Sequence, residues 1–227
     1  MHDPTRIPQL IAALQEAWEG QPDLSFAQLV GVLENRGLRW GTSDAELLEL
    51  LGELSSEHPS LIDATSGPLS ITTIGPDQLV TVAAPYVVVR SAVDGARMPA
   101  VWRFAQMRRT GPGLPLVLTD EGGVEHHLGV VSLVARVGAE GAPSIRGMRR
   151  RDIGNARWLV QFADGRRAVV GQRIRVWETV GREVRSRWVA WETILGCEPG
   201  EDMQIAPAGG GEPLSLGRVE RVLLLEA

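Results

Sequence analysis

The sequence predicts an α+β protein: three short helices, then a long, mainly antiparallel β region that ends in a small barrel. Three observations predict it. Apolar residues recur at helical spacing as far as about residue 56. From residue 69 onward, β-branched runs alternate with turns built on Gly, Pro and Asp. The charge is also divided along the chain. Residues 1–65 hold three Arg and eleven acids, whereas 146–187 hold twelve Arg and four acids, inside a chain of net charge −5.

With 227 residues the chain can bury a substantial core as one large or two modest domains. No apolar run approaches the ~18 residues that a membrane helix needs. The opening MHDPTRIPQL lacks the basic-then-apolar layout of a signal peptide, so a cytoplasmic protein without membrane contact is expected. The single cysteine, Cys197, excludes an internal disulfide and any multi-cysteine metal site. Its neighbours Glu198, Glu201 and Asp202 disfavour a thiolate, so a structural cysteine is expected. All 23 cations are arginine. Each is a planar donor fork suited to phosphate or carboxylate, and Schiff-base or P-loop lysine chemistry is excluded.

The first helix is read from Ile7, Leu10, Ile11, Leu14 and Trp18, with Pro8 in its first turn and Gly20 at its end. Ser25 and Gln28 fit a capping box for a second helix with the apolar face Phe26, Leu29, Val30 and Leu33. Ser43 and Glu46 fit another, opening a third helix through Leu47, Leu50, Leu51 and Leu54 to His58-Pro59. Strands expected near 69–74 and 79–90 would then complete a winged-helix-like domain over 1–92. Its third helix carries Asp44, Glu46, Glu49, Glu53 and Glu57 and no Arg. Such a face repels a duplex, so it is read as a solvated surface or one for a protein partner. Residues Ile11–Trp18, Gln21-Pro22-Asp23-Leu24 and Asp44-Ala45-Glu46-Leu47-Leu48 resemble the YihD-like proteins, an uncharacterised bacterial family. That resemblance covers a quarter of the chain and implies no activity.

Residues 93–145 read as a β-hairpin connector region. Pro85 interrupts the run VTVAAPYVVVRSA, Asp94-Gly95 signals a turn, and Pro99–Arg109 is ambiguous between helix and strand. Leu114–Leu118 and Glu125–Val137 form a hairpin around Asp120–Gly123. His126 and His127 are adjacent on its second strand, point to opposite faces and cannot chelate one metal; no metal or cofactor is expected. Gly138–Ser144 reads as a flexible connector.

Residues 146–227 form the Arg/Trp module. Trp158–Phe162, a turn at Asp164-Gly165, and Arg167–Val170 make a hairpin. Ile174–Thr179 and Val184–Trp191 make a second, turned at Val180-Gly181-Arg182-Glu183. Further strands fit Met203–Ala206 and Arg218–Glu226, and the set suggests a small SH3/Sm-like barrel. The Asp164-Gly165-Arg166 hairpin, Trp188-Val189-Ala190, and the closing Leu214–Val222 run resemble the WYL domain of bacterial winged-helix transcription regulators. Val189-Ala190 stands where that family has Tyr-Leu. The resemblance covers about a third of the chain and implies nucleic-acid or ligand sensing, with Arg166, Trp188 and Arg218 as contacts.

The residues themselves also argue for binding, since arginines on strands beside tryptophans can pair phosphates and stack bases. The expected nucleic-acid contacts are Arg146, Arg149, Arg150, Arg151, Arg157, Arg166, Arg167, Arg173, Arg175, Arg182, Arg185, Arg187, Trp188 and Arg218. DNA or RNA is the expected partner. The alternative is an adaptor or assembly component, with acidic helices and basic barrel docking on proteins or on further copies of the chain. There is no Gly-x-Ser-x-Gly, no phosphate-binding loop and no His-Glu-x-x-His, so no catalytic residue is assigned.

Overall fold

The computed structural model describes residues 4–138 and 144–226. The connector expected at 138–144 lies mostly outside them. The chain forms two compact units, Met1–Val87 with Trp102–Arg136, and Val88–Val101 with Val137–Ala227. Among the described residues no helix is long and apolar enough to cross a membrane.

The first unit begins with three helices, α1 (Arg6–Glu19), α2 (Phe26–Asn35) and α3 (Asp44–Glu57). Both capping boxes form. The Ser25 hydroxyl accepts from the Gln28 N–H and the Gln28 side chain accepts from the Ser25 N–H; Ser43 and Glu46 do the same for α3. The helical core is Ala17, Leu29, Leu33, Leu51 and Leu54, with Ala13 and Leu14 packed at its margin. The apolar stripe of α1 largely stays out of it. Ile7, Ile11 and Trp18 remain exposed, while small Ala13 and Ala17 face inward. All three arginines of 1–65 are engaged: Arg6 by Asp44, Arg36 by both carboxylate oxygens of Glu57, Arg39 by the Glu34 and Leu38 carbonyls. The Arg36 pair holds the Glu57 carboxyl below the usual range.

Six strands follow: β1 (Leu69–Ile74), β2 (Gln78–Ala83), β3 (Tyr86–Ser91), β4 (Ala100–Met107), β5 (Pro115–Asp120) and β6 (Glu125–Arg136). They close a barrel in chain order, with β1 returning to pair β6 from Leu69↔Arg136 onward. This corrects the reading of 93–145 as a connector, because β4–β6 supply half the barrel, and the ambiguous segment is strand β4. The strands expected as a wing are β1–β3 of that barrel. From Val88 to Val101, the end of β3, its loop and the start of β4 belong to the second unit.

Helices and barrel meet through the segment after α3. The His58 ring nitrogen Nδ1 lies 3.0 Å from the Val134 carbonyl, the Arg136 guanidinium donates to the Ser56 and Ser66 carbonyls, and Ile62 bridges Thr110. Two glycines let backbone approach here. A Cβ on Gly20 would lie 2.0 Å from the His58 carbonyl oxygen, and one on Gly111 would lie 1.9 Å from that of Ser60.

The second unit is one antiparallel sheet: β7 (Arg157–Phe162), β8 (Arg167–Val170), β9 (Ile174–Val180), β10 (Glu183–Val189), β11 (Trp191–Gly196), β12 (Asp202–Pro207) and β13 (Leu214–Glu226). Their order is β10-β9-β8-β7-β13-β12-β11, so the two edge strands are consecutive in the chain and joined by Ala190 alone. Trp191 therefore starts the far edge strand rather than ending the second hairpin. One face carries the main core, with Trp158, Val160, Phe162, Val176, Trp191 and Ile205 among its members. The other carries Leu159, Val169, Leu223 and Leu225, packed with Val88 and Val101.

Candidate nucleic-acid interface

The two predicted hairpins set out the basic residues. Phe162 donates to the Arg166 carbonyl and Gly165 to that of Phe162, enclosing a three-residue loop with Gly165 at φ +85°. Between β9 and β10 only two residues intervene, and Gly181 (φ +64°) precedes Arg182, the arrangement of a type II′ turn.

Most of the predicted arginines already have partners. Arg146 meets Glu198 at 2.8 Å, Arg149 meets Asp152 at 2.9 Å, Arg150 lies 3.8 Å from Glu192 and Arg151 3.6 Å from Asp152. Glu192 and Glu198 come from beyond the basic stretch, so folding dilutes a charge excess counted along the chain. Arg157 donates to the Asn155 and Ala156 carbonyls. Arg166 bonds Asp164 and covers the Phe162 ring, in a slot over Gly217 that a Cβ would close. Arg167 is half-buried and donates to the Pro99 carbonyl, and burial pushes its pKa down from the ordinary value. These last three build the fold.

The remainder gather mainly on β9–β10. Arg175 lies 5.5 Å from the Trp177 ring centroid and 4.9 Å from that of Trp188, and donates to Ser186 Oγ. Arg185 has only a 3.6 Å contact with Glu183. The side chains of Arg173, Arg182, Arg187 and Arg218 are exposed and have neither hydrogen bond nor ion pair among the described residues. Arg166 and Arg218 sit at one corner, on either side of Gly217. Trp188 is on β10, beyond β7, β8 and β9 from β13, so the structure does not gather the three WYL-like positions.

Exposure makes the β9–β10 hairpin distinct. β8 pairs with β9 only from Ile174 to Trp177, whereas β9–β10 pairing runs on to Val180 and Glu183. The last three pairs therefore project as a two-stranded ribbon, and Glu183–Trp188 is exposed on both faces. Alternation places Arg185 and Arg187 on one face, and Val184, Ser186 and Trp188 on the other. Trp158, Trp177 and Trp191 are buried; Trp188 is 56% exposed.

Two further features bear on chemistry. Asp120 accepts from His126 and from the Gly122 and Val124 N–H groups, each at 2.9 Å; the His126 bond is the first cause holding its carboxyl low. His126 also stacks 4.7 Å from Trp102. The turn-opening Asp120 was legible, its reach to His126 was not. Cys197 is buried, which pushes its thiol up to about 12. A thiol-specific reagent at neutral pH should leave it unmodified in the native protein and label it on denaturation. Rapid native labelling would show that the burial is wrong.

No family model, curated protein or solved structure matches this chain.

Proposed function

We propose that the protein is a non-catalytic regulatory binding protein that engages nucleic acid through the β9–β10 ribbon. The observation that carries this is the exposed β9–β10 hairpin, with Arg182 at its projecting tip, Arg185 beside it, and Arg187 and Trp188 following along the open edge strand; Arg182 and Arg187 have no acid partner among the described residues. A two-stranded ribbon fits a major groove about 12 Å wide, and guanidinium forks pair phosphates or guanine edges. Trp188 adds a stacking surface for an unpaired base. Arg146, Arg149, Arg150 and Arg151 are held only by exposed ion pairs of small worth, and phosphate can replace those carboxylates.

A WYL-like, Sm-like identity for the second unit belongs to this proposal. It is supported by the bent sheet whose edge strands are consecutive, and it places the protein among bacterial cytoplasmic regulators. A winged-helix reading of the first unit has only its three helices in support, because β1–β3 close a barrel.

Fluorescence anisotropy on a labelled DNA duplex and a single-stranded RNA, at about 50 and about 200 mM salt, tests the proposal. Affinity should fall steeply with salt, and R182A/R185A/R187A should flatten the log–log salt slope by about one unit per arginine removed. No binding at low salt, or a triple variant indistinguishable from wild type, would overturn it.

A further inference from the structure

The outward face of α1 is the counterpart of the ribbon in both chemistry and charge. Ile7, Ile11 and Trp18 are 51%, 56% and 36% exposed, and Phe26, whose ring centroid lies 5.5 Å from that of Trp18, is 49% exposed. Single exposed apolar residues are ordinary; three at helical spacing along α1 with Phe26 of α2 beside them are not. Between them lies a groove of about 560 Å³ bounded by Ile11, Leu14, Trp18 and Pro22, with Gln15 and Glu19 at its rim. The helix turns Ala13, Leu14 and Ala17 to the core and leaves Ile7, Ile11 and Trp18 outward, so much of its apolar area is not buried within the helical core.

The groove's surroundings are acidic, and each arginine among the described residues of the three helices and their loops is already engaged. Glu19 lines the groove and Asp23 follows Pro22 at its end, and Arg6, Arg36 and Arg39 are all engaged elsewhere. Its backbone N–H and C=O groups are taken up within helices, so a ligand must enter with side chains rather than by adding a strand. The exposed ribbon carries what this requires. Val184 and Trp188 are 48% and 56% exposed on one face, with Arg175 stacked on Trp188 and Arg182 at the tip.

We infer that the α1 groove receives the β9–β10 ribbon of a second copy of this chain, Trp188 and Val184 entering between Ile11 and Trp18 while Arg175 beside Trp188 and Arg182 at the tip meet Glu19 and Asp23. The contact is heterologous: groove and ribbon are different surfaces, so a docked pair keeps one groove free on one copy and one ribbon free on the other, and association continues head to tail. It is a small contact, hence weak and sensitive to salt. This inference does not depend on nucleic-acid binding; it uses the same ribbon, so the two ligands compete.

Sedimentation of the full chain without nucleic acid, from about 1 μM to 1 mM at low salt, tests it. Wild-type weight-average mass should rise with concentration without a plateau and fall back on adding salt. Ile11→Glu and Trp188→Glu each change an exposed side chain, and each should weaken self-association about thirtyfold, the loss of a central anchor. Val184→Glu repeats the ribbon test without disturbing the Arg175–Trp188 stack. The deciding result is their mixture. Ile11→Glu retains a ribbon and Trp188→Glu retains a groove, so together they should form a 1:1 dimer that neither forms alone. Wild type that stays monomeric, an Ile11→Glu variant that assembles like wild type, or an equimolar mixture that stays monomeric would each overturn the inference.

Discussion

Trp191→Ala is expected to lower the stability of the second unit by about 3–5 kcal/mol, the usual loss for truncating a fully buried aromatic residue. Trp191 is fully buried in the main core of the sheet, and its Nε1 donates to the Gly171 carbonyl at 2.9 Å. Removing it leaves a large cavity and takes away a buried donor. Trp191→Phe keeps a six-membered ring in the core but loses the donor and part of the indole volume, so it should cost less, about 1–3 kcal/mol. Urea melts followed by circular dichroism measure both. Trp188→Ala is the comparison: it lies on the exposed ribbon and should move the midpoint by less than either. A Trp191→Ala midpoint shift no larger than that of Trp188→Ala would contradict the placement of the two rings.

Gly111→Ala and Gly31→Ala should move the first unit in opposite directions. A methyl on Gly111 would meet the Ser60 carbonyl oxygen at 1.9 Å and its carbon at 2.9 Å, both backbone atoms that no rotamer change can clear. Beside this contact Ile62 and Thr110 exchange two backbone hydrogen bonds of 2.8 and 3.0 Å. The intrusion should pull that bridge apart at a cost of about 1–3 kcal/mol or more. Gly31, in the interior of α2, has nothing within 4 Å of the same methyl. Alanine there should stabilise the helix by about 0.5–1 kcal/mol. Equal shifts in thermal unfolding would show that the close approach at Ser60 is absent.

The features legible in the sequence are those encoded within a few residues. Ser25/Gln28 and Ser43/Glu46 announced their helices because each capping box is closed by side chains three positions apart. Asp164-Gly165 and Val180-Gly181-Arg182-Glu183 announced their hairpins because turn geometry demands particular residues. Barrel closure was not legible. Leu69 pairs with Arg136, and alternation along either strand says only that a partner exists, not which one. For the same reason the twelve arginines looked more exposed than they are. Charge counted along the chain cannot include Glu192 and Glu198, which pairing of Arg149 with Thr193 brings alongside. The helical periodicity of Ile7, Ile11 and Trp18 marked an amphipathic helix but not the destination of its apolar side.

The single-residue joint at Ala190 ties the slip of one edge to the other. A strand at an open edge can slide by one residue and turn each side chain to the opposite face. Here, if β10 moved one place along β9, it would drag β11 with it, and Trp191 would be rotated out of the core. The ribbon's register is thus guarded by a tryptophan at the start of the other edge strand, tied to the Gly171 carbonyl. Arg185 and Arg187 keep to one face, and Trp188 to the other, because Trp191 has only one place to go.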